Sequence, residues 1–357
     1  MSPRYVTAKR GTPDFHKLIT GTFSPDERAL PVQSLRIGRP DEEVTFEIVP
    51  LSQIQKVSAL KILKSFLPLK KLLFVLFPLF YFVLRDWNRP LLSSAEVVLM
   101  LVGLIFALAA VQMTVDSEDF VSGYDRIRGS HGQRVLSEGH RSVFQLQKYV
   151  SLLLAAALAC GLLPLLVEPL RILGFLVGAG FLIVGYKKGV TQKNRLLRDI
   201  FLGLIAGPCL AFGIVPQVES LAFGAVWAFF VFFELQIEHF QFFFAQAEAG
   251  EKNLMTLKSF DHAPRILWSV WGLSVLVYSA FRLQQSQMAL WIGSVLILAT
   301  LSRPWRRELL SLASPAGSQI DRACEKGHQL YLAFISLWVV ELGFSAWMAP
   351  LVFSWFR

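Results

Sequence analysis

The chain of 357 residues is 54% hydrophobic and only 17% charged, and it contains 30 Phe and 9 Trp. Such a composition leaves too little polar surface to cover a water-soluble globule, so lipid is expected to be the main solvent. The net charge of +9 would suit nucleic acid, but the basic residues lie between long apolar stretches, which indicates membrane topology and no nucleic-acid partner.

Apolar stretches long enough to cross a bilayer recur along the chain and are bounded by charge. They predict an all-α, polytopic membrane helical bundle with about nine transmembrane helices. The predicted spans are residues 66–84, 93–113, 149–167, 170–186, 200–217, 221–244, 266–283, 287–301 and 328–354. Residues 1–58 form a polar arm before this 59–357 membrane domain, and the alternating stretch VTFEIVPL predicts one short strand in it. The arm is expected to be a small cap or partly disordered.

The distribution of Lys and Arg predicts a cytoplasmic N-terminus. With that orientation only five of the 35 basic residues fall on the opposite side, namely Arg85, Arg89, Arg171, Arg282 and Arg357. The reversed orientation would invert the positive-inside asymmetry. We therefore expect a multi-pass protein of the bacterial inner (plasma) membrane whose long loops, and hence its chemistry, are cytoplasmic.

The first acidic motif follows the second predicted span, in the segment VQMTVDSEDFVSGYDRIRGSHGQRVLSEGHRS from Val111 to Ser142. Gln112, Asp116 and Asp119 have the spacing i, i+4 and i+7, which places an amide and two carboxylates on one helical face. Asp125 follows Gly123, where the helix is expected to end or bend. Clustered carboxylates repel unless a cation lies between them, and oxygen-only ligands suit Mg²⁺ bridging a diphosphate.

Arginines downstream of these carboxylates could hold phosphate oxygens; they are Arg126, Arg128, Arg134 and Arg141. An alternative interpretation is a solvated loop beside the membrane in which acidic and basic side chains pair with each other.

The same segment resembles the UbiA superfamily of membrane prenyltransferases, whose first motif is Asn-Asp-x-x-Asp-x-x-x-Asp. The 1,4-dihydroxy-2-naphthoate prenyltransferase-like branch has Asn-Asp-x-x-Asp-x-x-x-Gly-x-Asp, against Val115, Asp116, Asp119, Gly123 and Asp125 here. The following RVLSEGHRS is similar to an Arg-Val-Leu-x-x-Gly-x-x-Ser run of that branch. The stretch LRDIFLGLIAGPCLAFG from Leu197 is also similar to a segment of the branch.

This resemblance implies an enzyme that moves an isoprenoid chain from a prenyl diphosphate to an aromatic, quinone-precursor-like acceptor, with Mg²⁺ as cofactor. It implies catalytic roles for Asp116, Asp119 and Asp125. One departure is Val115, which replaces the asparagine of the motif and cannot bind a metal ion. Gln112 replaces a second asparagine that is common in the branch.

The second acidic motif of the family corresponds to ELQIEHFQFFFAQAEAGEKNLMTL, from Glu234 to Leu257, where the paired aspartates are missing. One alignment places His239, Phe242 and Gln246 at the motif positions, and a shift by one residue places Glu238, Gln241 and Ala245 there. On an ideal helix Glu234, Glu238, Gln241 and Glu248 share a face, and burying that face avoids exposing charge to lipid.

We accordingly predict Glu238 as a catalytic residue and Asp116, Asp119, Glu238 and Glu248 as metal ligands. Substrate-binding residues are predicted more widely, at Gln112, Arg126, Arg128, Arg134, Tyr186, Lys193, Gln241, Gln246 and Lys252. The alternative for the sixth span is that its acids make polar contacts between helices. His239 is expected to be a packed, hydrogen-bonded histidine, and Glu341 in the last span is expected either to have a function or to be hydrogen-bonded.

Two function hypotheses follow for the chain. The first is the Mg²⁺-dependent prenyltransferase, and the second is a relative without transferase chemistry that binds or carries an isoprenoid lipid or supports a partner enzyme. The missing second aspartate pair motivates the second hypothesis. A transporter is not favoured, because no inverted repeat or pair of interrupted helices is evident.

Overall fold

The computed structural model describes residues 4–32, 42–67, 69–85, 93–123, 133–165, 170–174, 177–178, 194–248, 251–284, 288–312 and 317–343. The chain divides into two compact units. The first unit consists of Met1–Leu76 with Val98–Pro164, and the second of Phe77–Val97 with Leu165–Arg357.

The first part of the chain forms a small α/β cap. Its antiparallel sheet has the order β1-β3-β2, with β1 at Arg4–Lys9, β2 at Glu27–Pro31 and β3 at Glu43–Pro50. The predicted strand corresponds to β3, in which alternate side chains are buried as expected for a sheet with one packed face. Helix α1 (Pro13–Thr20) begins at the cap Thr12 and ends at Gly21.

The helices that follow are α2 (Ala59–Ser65), α3 (Leu69–Arg85), α4 (Ser94–Ser122), α5 (Gln133–Ser137), α6 (Val143–Leu165) and α7 (Arg195–Asp199). A π-helical turn (Ile200–Ile205) leads into α8 (Ala206–Ile214), α9 (Val218–Gln241) and α10 (Phe243–Glu248). The last helices are α11 (Ala263–Gln284), α12 (Met288–Leu310) and α13 (Gly317–Gly343).

Four of the described helices are long and apolar enough to cross a membrane. These segments are Ser94–Ser122, Val143–Gly161, Val218–Gln241 and Phe260–Leu283, and Leu76–Arg85 is a shorter apolar helix. The predicted helical membrane fold is thus confirmed, whereas the number of nine spans stays a prediction. Much of the predicted fourth span and the end of the ninth lie outside the described residues.

The cap and the membrane helices of the first unit share one hydrophobic core. Val44, Phe46 and Ile48 of β3 belong to the same buried cluster as Met113 and Phe120 of α4. Gly21 makes a close approach possible, because a Cβ atom at this position would lie 2.5 Å from Cβ of Ser142. Its φ of +74° also favours glycine. The polar arm is therefore a packed cap over its described residues.

The second unit is organised around α9, which packs against α8, α11 and α13. Aromatic rings fill these contacts: Phe223 stacks on Tyr81 and Phe230 stacks on Phe334, with ring centroids 3.7 Å and 3.4 Å apart. Gly224 lets α8 approach closely, since a Cβ there would lie 2.6 Å from Cα of Pro208. Small residues at such crossings allow helix backbones to pack tightly in lipid.

A polar cluster joins α11, α12 and α13 inside this unit. The buried Glu341 carboxylate accepts hydrogen bonds from Tyr278 at 2.7 and 2.8 Å and from Ser294, and Nη2 of Arg282 lies 2.9 Å from Glu341 Oε2. Of the two expectations for Glu341, the structure supports a hydrogen-bonded role. A paired and hydrogen-bonded charge is the form in which an ionised side chain is tolerated among apolar helices.

Replacing Glu341 by Leu should destabilise the protein by about 3–5 kcal/mol, because it removes the carboxylate that pairs with the buried Arg282. Unfolding of purified protein in detergent measures this loss. The double variant Glu341→Leu/Arg282→Leu should be less destabilised than the sum of the two single variants. Val340→Ala, at an exposed neighbouring position, is the control, and additive losses would contradict the pairing.

Candidate functional site

The first acidic motif lies in the last three turns of α4. Gln112, Asp116 and Asp119 are all buried, and Gln112 Nε2 donates a 2.6 Å hydrogen bond to Asp116 Oδ1. The helix ends at Ser122, and Gly123 follows with a φ of +86°, so the predicted end of the helix at Gly123 is confirmed. The structure thus brings the amide and the two carboxylates together on one helix.

The electrostatics at this end of α4 depend on the two carboxylates, the helix dipole and Arg10. Carboxylates near a helix C-terminus face the negative end of the helix dipole, and burial strengthens their mutual repulsion. Arg10 of the cap supplies one positive charge, since its Nη2 donates to the carbonyl oxygens of Ser122 at 2.6 Å and Val121 at 3.3 Å. Burial of the Arg10 guanidinium lowers its pKa, because burial disfavours the charged form.

The donor chemistry of α4 fits a divalent cation such as Mg²⁺. Two carboxylates and an amide offer only oxygen as metal ligands, the type that Mg²⁺ prefers. Within the described ranges no three His, Cys, Asp or Glu side chains are grouped closely enough to hold a metal ion. The role of Asp116 and Asp119 as metal ligands stays a prediction, and Asp125 lies outside the described residues.

Several other predicted site residues also lie outside the described residues. They are Arg126, Arg128, Tyr186 and Lys193. The backbone of Arg134 lies in α5, the short helix that precedes α6.

The second motif does not follow one straight helix. Helix α9 ends at Gln241, Phe242 forms its C-cap, and α10 begins at Phe243. The helical wheel that placed Glu248 on the face of Glu234 therefore does not extend past Gln241. A face defined by the 3.6-residue period requires an unbroken helix.

The acidic side chains of the second motif have different surroundings. Glu234 is buried and pairs with Nδ1 of His328 at 2.8 Å, while Glu238 is half-buried. Gln241 donates a 3.0 Å hydrogen bond to Asp321, and Glu248 is exposed. The assignment of Glu238, Gln241 and Glu248 to a catalytic cavity stays a prediction.

A buried polar chain lies beside these residues. Nε2 of His239 is 2.7 Å from Oδ2 of Asp199, and Nδ1 of His239 is 3.1 Å from Nε2 of Gln246. Asn253 Nδ2 donates to Gln246 Oε1 at 2.6 Å, and Gln236 donates to Asp199 at 3.3 Å. All five side chains are at most 2% exposed.

One assignment of hydrogens is consistent with the bonds that link Asn253, Gln246, His239 and Asp199. Because Gln246 Oε1 accepts from Asn253, its Nε2 is free to donate to His239 Nδ1, which leaves Nε2–H of His239 to donate to Asp199. The expectation of a packed, hydrogen-bonded His239 agrees with this geometry. The polar groups at the motif positions of the first alignment, His239 and Gln246, bond to each other.

The segment after α10 is tied to the start of α7. Asn194 and Lys252 form a parallel β-bridge, in which Leu196 N donates to Lys252 O at 3.2 Å. Arg195 and Glu251 form a 2.6 Å ion pair with both side chains about one-tenth exposed. Lys252 is therefore held by its backbone, and its side chain is exposed.

Sequence reasoning missed three members of the buried chain, namely Asp199, Gln236 and Asn253. A signal for Asp199 was present, since it is a carboxylate at the very start of an apolar span, where ionisable groups need partners. The π-helical turn Ile200–Ile205 that follows Asp199 is a feature often found at functional sites.

The two motifs fall in different compact units. Gln112, Asp116 and Asp119 belong to the first unit. The second unit contains Glu238, Gln241, Gln246, Glu248 and Lys252. A single site formed by both motifs stays a prediction.

The fold is similar to that of several solved structures. A UbiA homologue from Archaeoglobus fulgidus bound to GPP and Mg²⁺ shares 18% identity with a TM-score of 0.55, covering 79% of this chain and 99% of that chain. Its complex with DMAPP and Mg²⁺ shares 19% identity, with a TM-score of 0.53 and coverage of 77% and 99%.

A structure of digeranylgeranylglyceryl phosphate synthase shares 14% identity, with a TM-score of 0.53 and coverage of 79% of this chain and 99% of that chain. No family model and no curated protein sequence matches this chain. The comparisons show a UbiA-like fold, whereas the naphthoate-type branch stays a prediction.

Replacing His239 by Ala should destabilise the protein by about 3–5 kcal/mol, because it removes the imidazole that binds the fully buried carboxylate of Asp199. Adding Asp199→Asn should recover part of the loss, since the amide carries no charge. Unfolding in detergent measures both effects.

The matched control for this test is Glu248→Ala, at an exposed position of the same motif, which should change stability by no more than about 0.5 kcal/mol. If His239→Ala lowers the stability of the protein as little as Glu248→Ala does, the buried chain does not stabilise this end of α9.

Proposed function

We propose that this protein is a membrane prenyltransferase that moves an isoprenoid chain from a prenyl diphosphate to an aromatic, quinone-precursor-like acceptor with Mg²⁺ as cofactor. The observation that carries the proposal is the buried Asp116 and Asp119 pair at the end of α4, in a fold shared with UbiA homologues bound to prenyl diphosphates and Mg²⁺. The aromatic acceptor rests on the sequence resemblance of RVLSEGHRS.

The residues of α4 have defined tasks in this proposal. Gln112 holds Asp116 through Oδ1, which fixes the direction of the carboxylate. Asp119 supplies a second carboxylate one turn nearer the end of the helix. Burial of both groups reduces the screening of their charge by water, so their attraction for a cation is stronger than at a surface.

A bound Mg²⁺ would neutralise the diphosphate and make it a better leaving group. The chain's own contribution is to hold the oxygen ligands in place and to keep bulk water away from them. Cytoplasmic arginines and Lys193 are proposed to hold the phosphate oxygens, with Tyr186, Gln241, Gln246 and Lys252 completing the substrate site. The positive-inside asymmetry supports an active face on the cytoplasmic side of a bacterial inner membrane.

One observation favours a second candidate function, that of a relative that binds or carries an isoprenoid lipid without transferring it. In the first alignment, the positions of the second aspartate motif hold His239 and Gln246, an imidazole and an amide that already belong to a buried hydrogen-bonded chain. A site without a second carboxylate pair has fewer ligands for a metal ion.

Replacing Asp116 or Asp119 by Asn should lower prenyl transfer by about 100-fold or more, because each change removes a preorganised charge that holds the leaving group through the cation. The measurement incubates membranes containing the protein with labelled prenyl diphosphates, hydroxylated aromatic acids and Mg²⁺. Chelation of Mg²⁺ should abolish the product of the unmodified protein.

Glu325→Gln, an isosteric change of an exposed carboxylate on α13, is the matched control and should leave transfer unchanged. Full turnover in the Asp116 and Asp119 variants would rule out the site assignment. Binding of prenyl diphosphate that is equal with and without Mg²⁺, and that yields no product with any acceptor, would establish the binding function instead.

A further inference from the structure

Two arginines meet where the cap packs on the start of α6. Arg28 lies on β2 and is only 5% exposed, and Arg141 lies two residues before the first residue of α6. Burial and the nearby charge of Arg141 both lower the pKa of Arg28, with burial the larger cause. Two like charges held close together in a partly dry environment repel each other.

Neither guanidinium is neutralised by a carboxylate in the described part of the chain. Arg28 Nη1 donates to Glu27 O at 3.1 Å, and Arg141 Nη1 donates to His140 O at 2.9 Å. The buried Nε of each arginine has no hydrogen-bond partner among the described residues. Glu138, the acid nearest to Arg141 in sequence, bonds to His140 at 2.9 Å.

Both arginines line one small cavity. Its volume is about 10 Å³, which is room for about one oxygen-sized group. Gly139 and Ser142 also line the cavity, together with apolar side chains such as Phe120. The buried Arg28 and the nearby Arg141 thus border the same small, partly open cavity.

The N-terminus of α6 adds to the positive potential. Ser142 Oγ accepts from Gln145 N at 3.2 Å, and Gln145 Oε1 accepts from Ser142 N at 3.3 Å, which is the reciprocal arrangement of a capping box. Val143, the first residue of this 23-residue helix, also lines the cavity. The first N–H groups of a helix have no acceptor within the helix and favour an anion.

We propose that Arg28 and Arg141 form an anion site that binds a phosphoryl group, with one terminal oxygen inside the cavity and the remaining oxygens at its mouth. A phosphate dianion matches two guanidinium groups in charge and in hydrogen-bonding geometry, whereas a carboxylate supplies one charge. The bound group joins β2 of the cap to the start of α6, so it strengthens the packing of the cap.

The phosphoryl group has two possible sources, free phosphate and the phosphomonoester headgroup of a lipid. This site needs neither Mg²⁺ nor the α4 carboxylates, so it is separable from the proposed transfer reaction. Phosphate binding should therefore persist in the presence of EDTA and in Asp116→Asn.

The test uses the full chain purified in detergent with EDTA, at constant ionic strength. Inorganic phosphate should raise the apparent unfolding temperature of the unmodified protein by roughly several degrees at saturation. Arg28→Gln and Arg141→Gln should each weaken phosphate binding by about tenfold or more. Arg4→Gln, at an exposed position of β1, is the matched control and should keep the full response.

A second readout separates an anion site from a purely structural arginine. Without phosphate, Arg28→Gln should unfold at the same temperature as the unmodified protein or higher, because the change relieves repulsion with Arg141. An equal fall in unfolding temperature with and without phosphate would assign Arg28 a structural role and overturn the proposal.

To test the lipid headgroup as the source, the protein is placed in nanodiscs of phosphatidylcholine with or without phosphatidic acid. Stabilisation by phosphatidic acid that Arg28→Gln abolishes supports the site with a lipid headgroup as its source, and a response to inorganic phosphate alone supports it with free phosphate. If neither stabilises the protein, or if chloride at matched ionic strength stabilises every variant equally, the proposal fails.

Discussion

Polar groups among apolar helices must find partners within the protein, and this constraint shapes both units. In the second unit Glu341 bonds to Arg282 and Tyr278, and Asp199 bonds to His239. In the first unit Gln112 bonds to Asp116. Each pairing reduces the cost of keeping a polar atom away from water, and the pairings of Glu341 and of Asp199 also join different helices.

The two acidic motifs meet this constraint in different ways. On α4 two carboxylates remain close together near the negative end of a helix dipole, where a cation would stabilise them. On α9 and α10 the corresponding polar groups are His239 and Gln246, which bond to Asp199 and Asn253 within the protein. In the proposed function the first arrangement would hold a metal-bound diphosphate, whereas His239 and Gln246 of the second already have partners within the protein.

The cap is joined to the first unit through features that have little sequence signal. Gly21 allows contact with Ser142, Arg10 bonds to carbonyl oxygens at the end of α4, and Arg28 comes close to Arg141. The cap thus reaches both the end of the helix that carries Asp116 and Asp119 and the start of α6. Binding of an anion at Arg28 would strengthen the same packing.

The sequence by itself determined the helical membrane class, the strand at β3 and the shared face of Gln112, Asp116 and Asp119. These features depend on local periodicity, which an unbroken helix or strand preserves. The placement of Glu248 was not determined in this way, because the chain breaks at Phe242 and the helical wheel no longer applies. Asp199 with His239, and Arg28 with Arg141, are far apart in sequence, so only tertiary packing decided that they meet.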